Sequence, residues 1–262
     1  MLKFQHASRA SQGARPYQED ASVVWPGTDV DLPAGIAEPP AGISLVAVLA
    51  DGMGGHAGGA LASSTICGAF LASFAETDGE GRARLRPSLA AANEAIGEKV
   101  AANPQLAGMG ATLVGVTIGE AGLSWISVGD SPMYLYRAGE LVQLNEDHSL
   151  APVIDRLVEQ GRMSPEEARA DPRRHYLRSA VTGDEIELID APDRPLELAS
   201  GDIVIIASDG LHTLEPDAVR DVVASYAPHG AEAVADALIR SVTEANEPHQ
   251  DNTTVVVVMV DE

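Results

Sequence analysis

Short apolar runs, many of them rich in β-branched residues, recur along the chain and predict a fold with many β-strands. Strands favour such residues, and Gly, Pro, Asn and Asp typically bound them. The runs that fit this pattern are residues 21–25, 44–50, 112–118, 123–128, 132–137, 185–190, 202–207 and 253–260. No helical segment separates the strands within residues 112–137, so this stretch predicts antiparallel hairpins.

Longer stretches with helical composition lie between these runs. They cover residues 60–76, 88–102, 216–225 and 230–246, and a shorter helical pair covers residues 155–160 and 164–170. Ser164 followed by Pro165 and then Glu167 matches a capping box with Pro at the first helical position. Residues 26–42 are rich in Pro and Gly and predict a surface loop, and residues 79–87 predict a second one.

The order of these elements favours an α+β architecture. A doubly wound parallel sheet requires strands and helices in alternation, and residues 112–137 break that alternation. Hydrophobic residues make up 45% of the 262 residues, which is enough to bury a substantial core. We therefore expect one layered domain over residues 1–262, built from helices and antiparallel strands.

Charge and composition exclude several classes of protein. With 17 basic and 39 acidic residues, the formal net charge is −22, which disfavours binding to nucleic acid or to anionic lipid. The single Cys67 cannot form an internal disulfide. No signal peptide is recognisable at the N-terminus, and the apolar run 255–260 is too short to cross a bilayer. We expect a cytoplasmic protein without membrane insertion.

Aspartates stand at the ends of several predicted strands. One Asp-Gly pair after a strand is most simply a turn, because Asp bonds its own backbone and Gly allows positive φ. The recurrence indicates more, since clustered carboxylates repel one another unless cations lie between them. Carboxylate oxygens suit Mg²⁺ or Mn²⁺. The acidic residues and glycines in these positions are Glu19, Asp20, Asp51, Gly52, Gly129, Asp130, Asp209, Gly210 and Asp251.

Other chemistries fit the sequence less well. No paired Cys, close His pair or His-Glu-x-x-His motif indicates zinc. Cys67 lies in an apolar helical stretch without a nearby Arg, unlike the nucleophile of a cysteine-dependent phosphatase. Residues 52–57 match a G-x-G-x-x-A dinucleotide loop, but Asp51 would face the pyrophosphate. A nucleotide-binding oxidoreductase therefore stays a weaker alternative.

Motifs stand in a fixed order over nearly the whole chain, at residues 15–20, 49–55, 108–112, 127–131, 147–149, 207–211 and 251–253. Together they resemble those of the metal-dependent protein phosphatases, the type 2C serine/threonine phosphatases, in their compact bacterial form. The resemblance implies a four-layer αββα sandwich of two antiparallel β-sheets flanked by helices, with a flap over about residues 150–180.

This resemblance also implies an activity. A hydroxide that bridges two Mn²⁺ or Mg²⁺ ions would hydrolyse phosphoserine and phosphothreonine in phosphoprotein substrates, reversing a cognate serine/threonine kinase. The alternative is a weakly active or inactive signalling module of the same fold that binds phosphoproteins.

Roles for individual residues follow from the same resemblance. Asp51 would bridge the two metals. Asp209 and Asp251 would complete one metal site, and Asp130 would belong to a weaker third site. The second metal site would be formed by Asp20 and the Gly52 carbonyl. Glu19 would hold a water bound to that metal. Arg15 would bind the substrate phosphate, because its planar fork of donors can grip two phosphate oxygens.

Some positions depart from the family pattern. Thr213 stands where many members carry another Asp that helps to hold the third metal, which puts the affinity of that site in doubt. Gln18 replaces the usual Asn, Pro132 replaces a frequent Arg, and Met53 replaces a His of eukaryotic relatives.

The predicted flap is charged in both signs. Its basic cluster of Arg173, Arg174 and Arg178 places three arginines within six residues of an acidic chain. We expect this cluster to help select phosphoprotein substrates.

Overall fold

Two antiparallel sheets pack face to face in the computed structural model, which describes residues 3–27, 38–54 and 57–261. The first sheet has the order β1-β11-β10-β8-β9 and the second the order β2-β3-β6-β7. The strands are β1 (Lys3–Ser11), β2 (Ala21–Trp25), β3 (Ile43–Ala50), β4 (Gly52–Met53), β5 (Gly110–Ala111), β6 (Leu113–Gly119), β7 (Gly122–Val128), β8 (Met133–Arg137), β9 (Glu140–Gln143), β10 (Ile203–Ala207) and β11 (Thr253–Asp261).

Helices lie on the outer faces of both sheets and in the flap. They are α1 (Ala57–Glu76), α2 (Gly81–Ala102), α3 (Ala151–Glu159), α4 (Pro165–Ala170), α5 (Pro216–Tyr226) and α6 (Ala231–Glu244). Helices α1 and α2 pack on the second sheet, and α5 and α6 pack on the first. The predicted four-layer αββα sandwich is therefore confirmed.

The core between the two sheets explains why the strand runs are so apolar. Leu49, Val116 and Ile206 belong to the buried cluster that joins the sheets. Outer clusters, with Phe70 on one side and Leu238 on the other, join each sheet to its helices. A central strand such as β11 is therefore buried on both faces, and alternating polar positions are lost.

One predicted strand is absent, and some observed strands were not predicted. Residues 185–190 form no strand, and only Asp190 makes an isolated bridge, to Ser127. Strands β1 and β9 were not predicted, because polar and apolar residues mix along them and many of their positions are exposed or half-buried.

Helix α2 begins at Gly81 rather than after Pro87, so the predicted loop 79–87 is largely helical. Pro87 lies on the exposed face, where water can bond the carbonyl that the missing N–H would have reached. Arg84 is buried and donates to the carbonyls of Phe74 and Gly79, at 2.9 and 2.8 Å. These bonds fasten the beginning of α2 to the end of α1.

Helix α1 is a longer apolar segment than the run 255–260 that was considered as a possible membrane span. Its Gly58–Glu76 segment of 19 residues is long and apolar enough to cross a bilayer by length and composition alone. Ile66, Phe70 and Phe74 on this helix are fully buried in the cluster beneath the second sheet. Of the predicted loop 26–42, residues 28–37 lie outside the described residues.

Candidate metal centre

The predicted site residues meet at one edge of the sandwich, in a pocket of about 780 Å³. Strand ends from both sheets reach this edge, because Asp51 follows β3, Asp209 follows β10 and Asp251 precedes β11. The predicted residues that line the pocket are Arg15, Glu19, Asp51, Gly52, Asp130, Asp209 and Asp251.

Asp51 lies at the centre of this group. Its backbone N–H donates to Thr112 Oγ1 at 3.0 Å, and that hydroxyl also bonds Ser131 Oγ at 2.7 Å. The carboxyl groups of Asp20 and Asp209 both lie within hydrogen-bond reach of Asp51. Asp51 therefore has two other predicted metal ligands beside it, and its bridging role stays a prediction.

Asp20 lies behind the pocket wall, beside Asp51. Its Oδ2 accepts hydrogen bonds from Ser208 Oγ and Thr254 Oγ1, both at 2.8 Å, while its Oδ1 is buried without a hydrogen-bond partner. Burial raises the pKa of Asp20 to about 6, although the two hydroxyl donors oppose that shift. A buried carboxylate oxygen without a donor is costly and fits a cation-binding role.

Asn252 holds the loop that carries Glu19. Its Oδ1 accepts from the Glu19 N–H at 2.7 Å, and its Nδ2 donates to the carbonyls of Gln12 and Tyr17 at 2.8 and 3.0 Å. Glu19 Oε1 is buried and lacks a hydrogen-bond partner. The amide thus fixes the backbone of the loop and leaves the Glu19 carboxylate directed into the site.

Gly52 has no room for a side chain. A Cβ at this position would lie 2.3 Å from the Gly59 carbonyl oxygen and 2.4 Å from the Glu19 carbonyl oxygen. The short β4 strand therefore passes between the Glu19 loop and the beginning of α1. This close approach keeps the backbone of Gly52 at the pocket wall.

The carboxylates raise one another's pKa values. Burial raises the pKa of Asp51 well above its usual range, and the charges of Asp209, Asp20, Asp130 and Asp251 add to the effect. Burial, followed by the charge of Asp209, raises the pKa of Asp130 to about 8. Such crowding of like charges is relieved when divalent cations lie among them.

The donor set fits Mn²⁺ or Mg²⁺. Both ions prefer oxygen ligands, and Mg²⁺ commonly keeps several waters. In the part of the chain that the structure describes, no three Asp, Glu, His or Cys side chains are grouped closely enough to hold a metal ion by themselves. A backbone carbonyl and water would have to contribute ligands, so the roles of Gly52 and Glu19 stay predictions.

Arg15 lies at the mouth of the pocket. Its guanidinium donates to the Asp251 carboxylate, and half of its side chain is exposed. The hydrogen bond from Arg15 to Asp251 raises the pKa of the guanidinium. Arg15, which is predicted to bind the substrate phosphate, is therefore in direct contact with Asp251, a predicted metal ligand.

The flap contains the predicted helical pair as α3 and α4. Ser164 and Glu167 form the predicted capping box. The basic cluster is divided, because Arg173 pairs with Asp171 and Arg174 pairs with Asp155, each at 2.6 Å.

Among the three arginines, only Arg178 lines the pocket. The expectation that all three arginines help to select phosphoprotein substrates stays a prediction, and Arg178 is the one that lies at the pocket.

The alternatives based on other motifs find little support. Cys67 is buried in the core, and burial raises the pKa of its thiol to about 12, far from a reactive thiolate. The strand before the Gly52 loop pairs antiparallel with β2 and β6, whereas a dinucleotide fold needs a parallel βαβ unit. Residues 55–56 of that loop lie outside the described residues.

Sequence reasoning missed several polar residues that organise the site. Ser208 and Asn252 stand next to predicted ligands, so their position beside Asp209 and Asp251 was a usable signal. Gln250 carried the same signal, because it directly precedes Asp251, whereas Thr254 gave none, because its role depends on a contact with the distant Asp20.

Comparison with known proteins agrees with this geometry. The family described as Protein phosphatase 2C matches residues 36–244. Serine/threonine protein phosphatase PstP of Mycobacterium tuberculosis is 38% identical over 222 residues, which cover 83% of this chain and 40% of PstP. Protein phosphatase PhpP of Streptococcus pneumoniae is 33% identical over 222 residues, which cover 82% of this chain and 85% of PhpP.

A solved structure extends the likeness to three dimensions. The catalytic domain of PstP, in complex with two manganese ions, matches with a TM-score of 0.77 and 31% identity, over 100% of both chains. The chain thus spans about 40% of the length of the mycobacterial relative and aligns with its catalytic domain.

Proposed function

The chain belongs to the protein phosphatase 2C family, and we propose that it hydrolyses phosphoserine and phosphothreonine in proteins with bound Mn²⁺ or Mg²⁺. The observation that carries this proposal is the convergence of Asp51, Asp209 and Asp251 with Arg15 in one pocket. Two named protein phosphatases among the relatives, and the two manganese ions of the structural relative, support it.

The residues present divide into two groups of metal ligands around Asp51. Asp209 and Asp251 would hold one ion together with Asp51. Asp20 and the Gly52 carbonyl would hold the other. When bound, two divalent cations neutralise the charge of a phosphomonoester dianion and lower the pKa of water enough for it to act as nucleophile near neutral pH.

The protein's own groups orient these ligands and the substrate. Ser208 and Thr254 occupy one oxygen of Asp20 and leave the other directed inward. Arg15, held at the pocket mouth by Asp251, can donate to two oxygens of an incoming phosphate. Neither Ser nor Cys serves as nucleophile in this scheme, so no phosphoenzyme forms.

The biological setting is part of the proposal. A cognate serine/threonine kinase would supply the phosphoproteins. The net charge of −22 supports the absence of nucleic-acid binding, and we propose the absence of membrane insertion and a cytoplasmic location together with it.

Hydrolysis of a phosphothreonine peptide in Mn²⁺, with and without EDTA, tests the proposal. The Asp209→Asn variant should lose activity by about a hundredfold or more, a loss typical of removing one preorganised electrostatic group. The matched control is Asp217→Asn, since Asp217 is an exposed α5 residue paired with Arg220. A folded wild type that binds the phosphopeptide without cleaving it would instead support the phosphoprotein-binding module.

A further inference from the structure

Thr213 and Gln250 form a hydrogen bond that joins the two segments carrying Asp209 and Asp251. The Thr213 hydroxyl donates to Gln250 Oε1 at 2.7 Å. Thr213 ends the short helical turn Asp209–Thr213, and Gln250 directly precedes Asp251. The residue that stands in place of a further carboxylate therefore links two predicted metal-binding segments.

The Gln250 amide lies among backbone and side-chain oxygens of both segments. Its Nε2 donates to the Gly210 carbonyl at 3.1 Å, to the Asp251 carbonyl at 3.2 Å and to Thr253 Oγ1 at 3.1 Å. Gln250 is only 7% exposed, so these bonds are shielded from water. Removing the amide would leave buried carbonyls with fewer donors, which is costly.

The loop that carries Arg15 rests on the same residue. The Ala14 N–H donates to the Gln250 carbonyl at 2.8 Å. A Cβ on Gly13 would lie 2.6 Å from that carbonyl oxygen and 2.4 Å from the Asp251 carbonyl oxygen, and Gly13 has a φ of +59°. Gln250 is thus the contact point of three segments that supply predicted ligands.

We propose that Thr213 and Gln250 are positioning residues that set the spacing between Asp209 and Asp251 and thereby the affinity of this chain for a divalent cation. The inference rests on the proposed function, because it assumes that both aspartates hold a metal ion. The hydrogen bond between Thr213 and Gln250, called here the brace, is formed by two neutral side chains. It keeps the two ligand segments together without adding a further negative charge to an already crowded group of carboxylates.

Four variants separate the hydrogen bond from the bulk of the side chains. Thr213→Val keeps the shape and removes the hydroxyl, whereas Thr213→Ser keeps the hydroxyl. Gln250→Met keeps the length and removes the amide. The matched control is Thr243→Val, which removes an exposed α6 hydroxyl bonded to the Ile239 carbonyl at 2.8 Å.

Calorimetric titration of the EDTA-stripped full chain with Mn²⁺ is the direct readout. Loss of one hydrogen bond is worth roughly a threefold to tenfold change in an equilibrium constant, so Thr213→Val should raise the Mn²⁺ dissociation constant by about that factor. Thr213→Ser and Thr243→Val should bind as the wild type does. At saturating Mn²⁺, the KM of Thr213→Val for a phosphothreonine peptide should be unchanged.

A double-mutant comparison tests whether the two residues act together. Gln250→Met should weaken Mn²⁺ binding more than Thr213→Val, and the double variant should bind no more weakly than Gln250→Met alone. If Gln250→Met does not fold, Thr213→Val against Thr213→Ser decides the question. If the wild type is active and Thr213→Val binds Mn²⁺ as tightly as the wild type does, the positioning role of the Thr213–Gln250 hydrogen bond is wrong. The proposed function is not affected by that outcome. A wild type that neither binds Mn²⁺ nor hydrolyses the peptide overturns the proposed function as well.

Discussion

Ser208 donates a hydrogen bond to Asp20 Oδ2 at 2.8 Å across a sequence separation of 188 residues. Ser208 precedes Asp209, and Asp20 precedes β2, so this bond joins ligand segments from the two sheets. The same Ser208 oxygen accepts from the Thr254 N–H at 2.9 Å, which adds the beginning of β11. The hydroxyl thus sets the relative position of both sheets at the site.

Replacing this serine should damage the site more than the fold. Ser208→Ala removes one donor to a buried carboxylate and one acceptor for a buried N–H, at a cost of about 1–3 kcal/mol in the free energy of unfolding. Mn²⁺ affinity should fall with it, because Asp20 loses a fixed orientation. Chemical unfolding and Mn²⁺ titration measure the two effects, with the exposed Ser225→Ala as control. Unchanged Mn²⁺ affinity would contradict this role.

Gly52 provides a test of backbone packing at the site. Gly52→Ala places a Cβ within 2.4 Å of two carbonyl oxygens, so the Glu19 loop or the beginning of α1 must move. We expect a loss of about 1–3 kcal/mol in the free energy of unfolding and a strong loss of activity. Gly68→Ala in α1 is the matched control, because a Cβ there meets nothing within 4 Å.

The two glycine variants should change the free energy of unfolding in opposite directions. Gly68→Ala should stabilise the protein by about 0.5–1 kcal/mol through its higher helix propensity, with activity unchanged. Thermal unfolding and phosphopeptide hydrolysis distinguish them. Equal behaviour of both variants would show that the close approach at Gly52 is unimportant.

His148 predicts a pH dependence of stability. The residue is 2% exposed, its Nδ1 accepts from the Gly129 N–H at 3.3 Å, and burial lowers its pKa below the usual 6.5. The unfolded chain therefore takes up a proton as the pH falls below 6.5, while the folded protein resists protonation. Stability from this group is present above pH 6.5 and lost as the pH falls through the lower pKa of the folded state.

The free energy of unfolding at pH 7.5 and at pH 5.5 tests the direction of this pH dependence, because the two values lie on either side of about 6.5. The stability of the wild type relative to His148→Asn should decrease at the lower pH, since Asn can accept the same hydrogen bond without titrating. The exposed His249→Asn variant is the control. A wild-type advantage that does not change with pH would contradict the assignment.

Arg178 is expected to contact phosphoprotein substrates, and Arg173 is not. Arg178 lines the pocket, whereas Arg173 is bonded to Asp171 at 2.6 and 2.9 Å. Arg178→Ala should raise the KM for phosphopeptides several-fold and leave hydrolysis of a small aryl phosphate unchanged. Arg173→Ala should change neither. Equal KM values for the two variants would remove Arg178 from substrate recognition.

The sequence predicted those strands whose residues are buried on both faces. Runs such as 44–50 and 253–260 matched β3 and β11 within a residue because continuous apolar segments leave few alternatives. Strand β1 was missed because its positions alternate between exposed and half-buried, and its pairing with β11 is a contact between the two ends of the chain. Such pairing depends on long-range packing that local patterns do not contain.

The candidate site could be predicted to a similar extent. Acidic residues at strand ends carry their own signal, and a shared sheet edge brings them together. The pairing of Arg15 with Asp251, and the brace of Thr213 with Gln250, could not be predicted. Each joins residues more than 30 positions apart, and each depends on how two loops meet after folding.

Asp51 is the residue on which both proposed ion sites depend. In EDTA, Asp51→Asn should unfold at a higher temperature than the wild type, since the variant lacks one of several mutually repelling buried carboxylates. In Mn²⁺ the order should reverse, because binding stabilises only the protein that retains its ligands. An exposed control, Asp217→Asn, should follow the wild type in both conditions.

Calorimetric titration of wild type and Asp51→Asn with Mn²⁺ is the most direct measurement. We expect the wild type to bind Mn²⁺ with a stoichiometry of about two, as in the manganese complex of the structural relative, and Asp51→Asn to lose this binding. A wild type that binds no Mn²⁺, or an Asp51→Asn variant that binds it equally well, would contradict the assignment of this pocket as a metal centre.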